Sequence, residues 1–250
     1  MLRLLALLYG VFCYLVFLVS FFWAIWFVWT LDAPRSGLSL GLALLIDAGL
    51  LALFAIQHSG MARQKFKRAW TKLLPRPLER STYVLFSSLA LLAIIVFWQP
   101  MPSVIWDIGP GFGRIVLQVL FWAGWLNLLL ATFIIDHFDL FGLRQTWMYF
   151  RGVPYKYPGF RTPMEYKYVR HPIYLSFLIA FWSTPRMTLG HLFFAVMCTG
   201  FMLVAIQFEE RDLVCFHGER YLEYKNQVPM LIPRPMKKAA VRESSPATDD

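Results

Sequence analysis

The sequence is poor in charge and in cysteine, and it has no excess of the residues that break regular structure. Only 16% of its 250 residues are Asp, Glu, Lys or Arg, whereas a soluble domain averages about a quarter. Three cysteines without paired spacing exclude a disulfide scaffold and a zinc ribbon. With 15 glycines and 15 prolines, the chain is neither collagen-like nor of low complexity. The spacing of cysteines and histidines matches no metal site, so the sequence predicts none.

Apolar residues are abundant instead, at 58% of the chain, and they are concentrated in long runs. Four runs are each close to or above the roughly 20 residues that a spanning helix needs. They cover residues 4–31, 38–57, 81–98 and 115–135. The first run is too long for the core of a signal peptide and has no small-residue cleavage site, so it also counts as a span. The fold class is therefore predicted to be an all-α polytopic membrane protein.

A fifth apolar region is divided by Pro185. Residues 173–184 form a 12-residue stretch, and residues 187–208 follow with 22 more. Twelve helical residues rise about 18 Å, less than a hydrocarbon core of about 30 Å. The first stretch is either a short span or one arm of a hairpin, and the breaks at Pro185 and Gly190 favour the hairpin. We expect four full spans followed by a helical hairpin over 172–208.

The basic residues alternate along the chain and predict its orientation. Seven Lys or Arg lie in 59–80, six in 137–170 and seven from 209 onward, whereas each alternating loop carries one. The positive-inside rule places the three basic segments, and with them both termini, in the cytoplasm. The net charge of +9 is explained by these loops, so no nucleic-acid partner is expected.

Charged and aromatic residues mark both ends of the predicted hairpin. Arg170, His171 and Tyr174 lie at its entry, and Glu209 and Glu210 lie at its exit. Because a hairpin brings its ends together, we expect these five side chains to meet. The alternative is that Arg170 is only a positive-inside anchor and the glutamates only end a helix. Adjacent carboxylates at a helix C-terminus are unfavourable without partners, because the helix dipole opposes them.

The same positions carry a family resemblance. The pattern Arg170-His171-Pro172-x-Tyr174, followed by Glu209-Glu210-x-x-Leu213, Gly218, Tyr221, Tyr224 and Pro229, resembles the C-terminal core of the isoprenylcysteine carboxyl methyltransferase superfamily. Upstream motifs resemble its nurim-like branch, and within that branch the bacterial enzymes that methylate methanethiol to dimethyl sulfide. Those motifs are Gln57-His58-Ser59-x-Met61, Glu79-Arg80-x-x-Tyr83, Trp98-Gln99-Pro100 and residues 138–145.

The resemblance, which covers about residues 5–235, implies a membrane methyltransferase that uses S-adenosylmethionine. It implies a transmembrane region over 1–136 and a cofactor-binding catalytic core over 137–235. Composition adds a basic cytoplasmic loop at 59–80 and a polar tail over 236–250 that is expected to be disordered. The cofactor site would face the cytoplasm of a bacterial inner membrane. The residues implied to bind the cofactor are Tyr168, Arg170, His171, Pro172, Tyr174, Glu209, Glu210, Tyr221 and Tyr224.

Three further residues are candidates for catalysis, because a thiol acceptor needs a base. His58 lies where the second span meets the cytoplasm, flanked by polar residues. Asp136 and His137 end the fourth span at the same face, as a proton relay or as a solvated boundary. Asp47, inside the second span, is expected to need a partner, and Asn127 is the nearest candidate by depth.

The resemblance leaves several functions open. The acceptor would be methanethiol or another small thiol reached through the lipid bilayer, or instead a prenylated cysteine or a lipid. Two functions of a different class also fit the pattern, namely a non-enzymatic membrane protein like nurim and a nicotinamide-dependent membrane reductase. The absence of a Gly-rich phosphate loop disfavours the reductase. No obligate protein partner is identifiable from the sequence.

Overall fold

The computed structural model describes residues 1–31, 37–157, 159 and 162–233. The tail expected at 236–250 lies outside these residues. The described elements, in chain order, are α1 (Leu2–Trp29), α2 (Leu40–Ala62), α3 (Gln64–Trp70), α4 (Arg76–Phe97), β1 (Val104–Asp107), α5 (Phe112–Ile135), α6 (His137–Leu140), α7 (Leu143–Arg151), a 3₁₀ turn (Met164–Lys167), α8 (Pro172–Trp182), β2 (Arg186–Thr188), α9 (Leu189–His217) and α10 (Glu219–Gln227).

Five of the described helices, α1, α2, α4, α5 and α9, are long and apolar enough to cross a membrane. The prediction of an all-α polytopic membrane protein is confirmed, and the chain is an integral membrane protein. The hairpin is present as α8 and α9, with unequal arms of 11 and 29 residues. At 1.5 Å per residue α8 rises only about 16 Å, so α9 is the arm that matches the thickness of a bilayer.

A two-stranded antiparallel ribbon closes the hairpin turn, and sequence periodicity did not predict it. Val104 pairs with Thr188, and Asp107 pairs with Arg186. The indole Nε1 of Trp106 also donates to the carbonyl oxygen of Thr184 at 3.2 Å. The ribbon joins the α4–α5 connection to the start of α9, at the opposite end of α9 from Glu209 and Glu210.

The short arm α8 packs mainly against α5. Gly124 makes this approach possible, because a Cβ atom there would lie 2.9 Å from the backbone nitrogen of Ala180 and 3.0 Å from the carbonyl oxygen of Ser176. Small residues at such crossings let two helix backbones come close within a membrane. Trp125 meets Phe177 and Phe181 edge to face beside the crossing. This packing fixes the position of Tyr174 and of the α8 N-terminus.

The buried carboxylate of Asp47 is held by backbone rather than by a polar side chain of α5. Its Oδ1 atom accepts a 2.8 Å hydrogen bond from the backbone N–H of Gln99, which is free because α4 has ended at Phe97. Asn127 instead donates to Ser176 Oγ at 2.9 Å and to Glu165 Oε2 at 3.2 Å. Asn127, the nearest candidate by depth, is therefore not the partner of Asp47, which the sequence did not identify.

Candidate active site

A buried ion cluster joins the two ends of the hairpin. Glu210 Oε1 accepts from Arg170 Nε at 2.7 Å and lies 3.1 Å from His171 Nε2. Glu210 Oε2 lies 2.8 Å from Lys225 Nζ. The Glu210 side chain is only 3% exposed. We call Arg170, His171, Glu210 and Lys225 the clamp, and its contacts confirm that the hairpin ends meet.

The clamp also fastens the segment after α10 to the start of α8. The backbone N–H groups of Arg170 and His171 donate to the carbonyl oxygens of Pro229 and Met230, at 2.9 and 3.2 Å. Arg170 Nη1 donates to the Val228 carbonyl, and the Arg170 side chain is 9% exposed. Two donor atoms of this guanidinium are therefore engaged within the protein. Pro172 follows at the first position of α8, where its missing N–H costs nothing.

Glu209, the neighbour of Glu210, points to a different environment. Its Oε2 atom accepts a 3.0 Å hydrogen bond from the Tyr174 hydroxyl and lies 4.0 Å from His171 Nδ1. Its side chain is 46% exposed. Successive residues of an α-helix are about 100° apart around the axis, so one carboxylate turns inward and the other stays accessible.

The remaining tyrosines of the predicted cofactor set have different surroundings. Tyr221 is buried in α10, and burial raises the pKa of its phenol. The Tyr224 hydroxyl donates to the Tyr166 carbonyl oxygen at 2.6 Å, and burial raises the pKa of Tyr224 to about 12. Tyr168 is exposed. Tyr224 thus ties α10 to the 3₁₀ turn, and the role of all three in cofactor binding stays a prediction.

His58 lies in α2 among groups from α4. Its ring stacks on Phe54 with centroids 5.2 Å apart, and Ser87 Oγ lies 3.1 Å from its Nδ1 atom. The Tyr83 hydroxyl is 2.9 Å from His58 Nε2 and 3.1 Å from Nδ1. A hydroxyl nearly equidistant from both ring nitrogens does not lie on the axis of either lone pair. The Tyr83 contact therefore leaves the imidazole able to take another partner.

Tyr83 connects His58 to the accessible side of the hairpin. The Tyr83 phenol interacts electrostatically with the Glu209 carboxylate and with the Tyr174 phenol. We call His58, Tyr83, Tyr174 and Glu209 the open face, to which α2, α4, α8 and α9 contribute one residue each. Glu209 is its exposed member, whereas Tyr83 is buried. The imidazole, phenols and carboxylate of the open face suit a ligand that carries hydroxyl groups and positive charge.

His137 and Asp136 have separate partners. The buried His137 ring lies 2.8 Å from the Tyr14 hydroxyl at Nε2 and 2.8 Å from Thr132 Oγ1 at Nδ1. Burial lowers the pKa of this imidazole, which favours its neutral form. Asp136 pairs with Arg144 and caps α6. No described contact joins Asp136 to His137, so the structure lends no support to the relay, which stays a prediction.

The site contains residues that the sequence interpretation did not assign to it. Tyr83 belongs to an upstream motif that was noted without a role. Arg63 was counted only as a positive charge, but its Nη1 atom lies 3.2 Å from Asp212 Oδ2, and its guanidinium lies over the Phe208 ring. No spacing signal links residues 149 positions apart. Among the described residues, no group of three or more His, Cys, Asp or Glu is arranged to hold a metal ion.

Comparison with known proteins identifies close relatives. The chain is 50% identical to Methanethiol S-methyltransferase of Mycobacterium tuberculosis over 238 residues, which cover 93% of this chain and 98% of the relative. It is 52% identical to the protein of the same name from Crocosphaera subtropica, with 92% of each chain covered. Nurim of Pan troglodytes is 30% identical over 198 residues, 76% of this chain and 73% of the relative. No family model matches the chain, and no solved structure matches it.

Proposed function

The chain belongs to the methanethiol S-methyltransferase family, with nurim as a more distant relative, and on that premise we propose that it methylates methanethiol to dimethyl sulfide with S-adenosylmethionine. The observation that carries the proposal is the identity of about half over nearly the whole chain to enzymes of that name. The lower identity to nurim favours an enzyme over a non-enzymatic membrane protein.

The residues of the open face fit this methyl donor. Glu209 offers an accessible carboxylate beside the Tyr174 hydroxyl, and such a pair suits the two hydroxyl groups of a ribose. The ring face of Tyr174 suits a sulfonium cation. When bound, the donor supplies a methyl group on positively charged sulfur, and the acceptor sulfur takes that methyl as the bond to the sulfonium breaks. The donor sulfur is left as a neutral thioether.

The clamp positions this face rather than binding the donor itself. Glu210 has Arg170, His171 and Lys225 within 3.1 Å, so both of its carboxylate oxygens are already engaged. Arg170, which the motif suggested as a partner for a carboxylate, has its Nε and Nη1 atoms engaged. We assign both residues to holding α8 against α9, so that Tyr174 and Glu209 keep their 3.0 Å contact.

His58 is the base in this proposal. It accepts the proton of the thiol, and the resulting thiolate attacks the methyl carbon. An apolar wall helps this step, because the negative charge of the thiolate disappears as the new S–C bond forms. Phe54 supplies such a wall against the His58 ring, while Tyr83 and Ser87 hold the imidazole from the α4 side.

We propose an inner-membrane location with both termini in the cytoplasm. A small apolar thiol then reaches the site through the lipid, and the water-soluble donor enters from the cytoplasm. The seven basic residues of 59–80 carry the orientation. In a cysteine-free background, Arg68→Cys is expected to react with an impermeant reagent only from the cytoplasmic side. Labelling from the opposite side of the membrane would contradict the proposed topology.

The direct test is a headspace assay for dimethyl sulfide. Membranes that contain the chain receive methanethiol and S-adenosylmethionine, and a parallel sample receives a prenylated cysteine as acceptor. Dimethyl sulfide in the first sample alone is the expected result. Methylation of the prenylated cysteine alone would identify that molecule, rather than methanethiol, as the acceptor. Failure of the protein to bind S-adenosylhomocysteine would refute the donor and favour a nurim-like, non-enzymatic role.

A further inference from the structure

An accessible ion pair lies at the edge of the open face and takes no part in the mechanism above. Arg63, just after α2, places Nη1 3.2 Å from Asp212 Oδ2 on α9. The Arg63 and Asp212 side chains are 35% and 44% exposed. The guanidinium is oriented by two further contacts. Its Nε atom donates to the Ser59 carbonyl oxygen at 3.2 Å, and its carbon lies 5.1 Å from the centre of the Phe208 ring.

The pair is next to the residues proposed to hold the donor. Asp212 follows Glu209 by three residues, and residues three apart lie on the same side of a helix. The Tyr174 hydroxyl donates a hydrogen bond to Glu209, and the Tyr174 phenol interacts electrostatically with the Arg63 guanidinium. A cation and an anion therefore lie together about one helical turn from Glu209, the carboxylate that is proposed to bind the ribose.

Exposed ion pairs of this kind add little to stability, because solvent screens both charges. Two opposite charges side by side are, however, complementary to a zwitterion. The amino-acid end of S-adenosylmethionine carries one carboxylate and one ammonium group, and planar guanidinium donors match a carboxylate well. Arg170 is a poorer candidate for that carboxylate, because it is 9% exposed and already engaged with Glu210 and backbone.

We propose that Arg63 and Asp212 bind the amino-acid end of the methyl donor. Arg63 pairs with the carboxylate of the donor, and Asp212 pairs with its ammonium group. This assignment rests on the proposed function, which supplies a ligand with that end. Binding replaces one internal ion pair with two ligand ion pairs and leaves the total charge of the pair unchanged. The contact of Arg63 with Phe208 keeps the guanidinium in place while the partners exchange.

The test compares two ligands that differ only by the amino-acid end. S-Adenosylhomocysteine carries it, whereas 5′-methylthioadenosine has the same adenine, ribose and sulfur without it. Affinities of the detergent-solubilised full chain are measured by calorimetry for Arg63→Gln, Arg63→Lys and Asp212→Asn, with exposed Arg68→Gln as the matched control. We expect Arg63→Gln to weaken S-adenosylhomocysteine binding roughly tenfold or more, and 5′-methylthioadenosine binding less than about twofold. Arg63→Lys should give an intermediate loss of S-adenosylhomocysteine affinity, because lysine keeps the positive charge but lacks the forked donors of the guanidinium.

Contrary outcomes overturn the assignment in distinguishable ways. Equal weakening of both ligands by Arg63→Gln and Asp212→Asn would mean that the pair only joins α2 to α9. Unchanged S-adenosylhomocysteine binding in both variants would mean that the amino-acid end lies elsewhere. If the unmodified chain bound neither ligand, the proposed donor would be refuted, and this assignment with it.

Discussion

The clamp and the open face lie side by side, and two adjacent residues of α9 belong one to each. Glu210, 3% exposed, contacts Arg170, His171 and Lys225, whereas Glu209, 46% exposed, has the Tyr174 hydroxyl within 3.0 Å. The two side chains have the same chemistry and differ by one helical step. From this difference we expect the paired glutamates of the motif to serve two purposes, because a buried carboxylate must be neutralised by the protein while an accessible one is available to a ligand.

Removal of the clamp carboxylate should have the largest effect. Glu210→Ala leaves Arg170, His171 and Lys225 without their shared partner. Loss of one member of a buried ion pair costs about 3–5 kcal/mol, so we expect a large fall in thermal stability, measured by intrinsic fluorescence in detergent. Glu209→Ala is the matched control and should change stability by less than about 1 kcal/mol. Equal melting temperatures for the two variants would remove the distinction between the clamp and the open face.

The next largest effect concerns His58, the proposed base of the open face. His58→Ala is expected to lower turnover at neutral pH by roughly 10²-fold, a typical contribution of a general base, while S-adenosylhomocysteine affinity stays nearly unchanged. Turnover of the variant should rise with pH, because more of the thiol then ionises without help. His137→Gln is the control and should affect stability more than turnover, since both ring nitrogens of His137 have hydroxyl partners. Near-normal turnover of His58→Ala would move the base to His137.

A smaller effect is expected at the accessible carboxylate. Glu209→Gln keeps the shape of the side chain but removes the charge that accepts hydrogen bonds from ribose hydroxyls. We expect about tenfold weaker binding of both S-adenosylhomocysteine and 5′-methylthioadenosine, since both carry the ribose. The melting temperature should stay close to that of the unmodified chain. Weakening that is confined to S-adenosylhomocysteine would assign Glu209 to the amino-acid end instead.

The smallest effect should come from the hydroxyl that contacts His58. Tyr83→Phe removes the contact of 2.9 Å but keeps the ring. Because Ser87 still faces Nδ1, we expect turnover to fall by only about threefold to tenfold, a share typical of one neutral hydrogen bond. Cofactor affinity, measured by calorimetry, should not change. A larger loss than that of His58→Ala would make Tyr83 the group that handles the proton.

The spans and the hairpin were predictable because they depend on local quantities. A run of about 20 apolar residues crosses a bilayer wherever it occurs, and a hairpin turn at Pro185 predicted that Arg170 and Glu210 lie at the same end. The ribbon of β1 and β2 was not predictable, because its strands are about 80 residues apart and too short to show a period. The contact of Asp47 with the backbone of Gln99 was missed for a related reason, since backbone donors do not appear in a comparison of side chains.

The sequence by itself determined the class of protein, the long apolar runs and the meeting of the motif residues. Only the tertiary structure decided which carboxylate is buried and which arginine is accessible. The physical reason is the rotation of each helix about its axis. Apolar residues surround α9 along most of its length, so composition defines no inner face. Packing of α8 against α5, and of residues 228–230 against Arg170 and His171, selects the rotation that buries Glu210 and leaves Glu209, Asp212 and Arg63 within reach of a ligand.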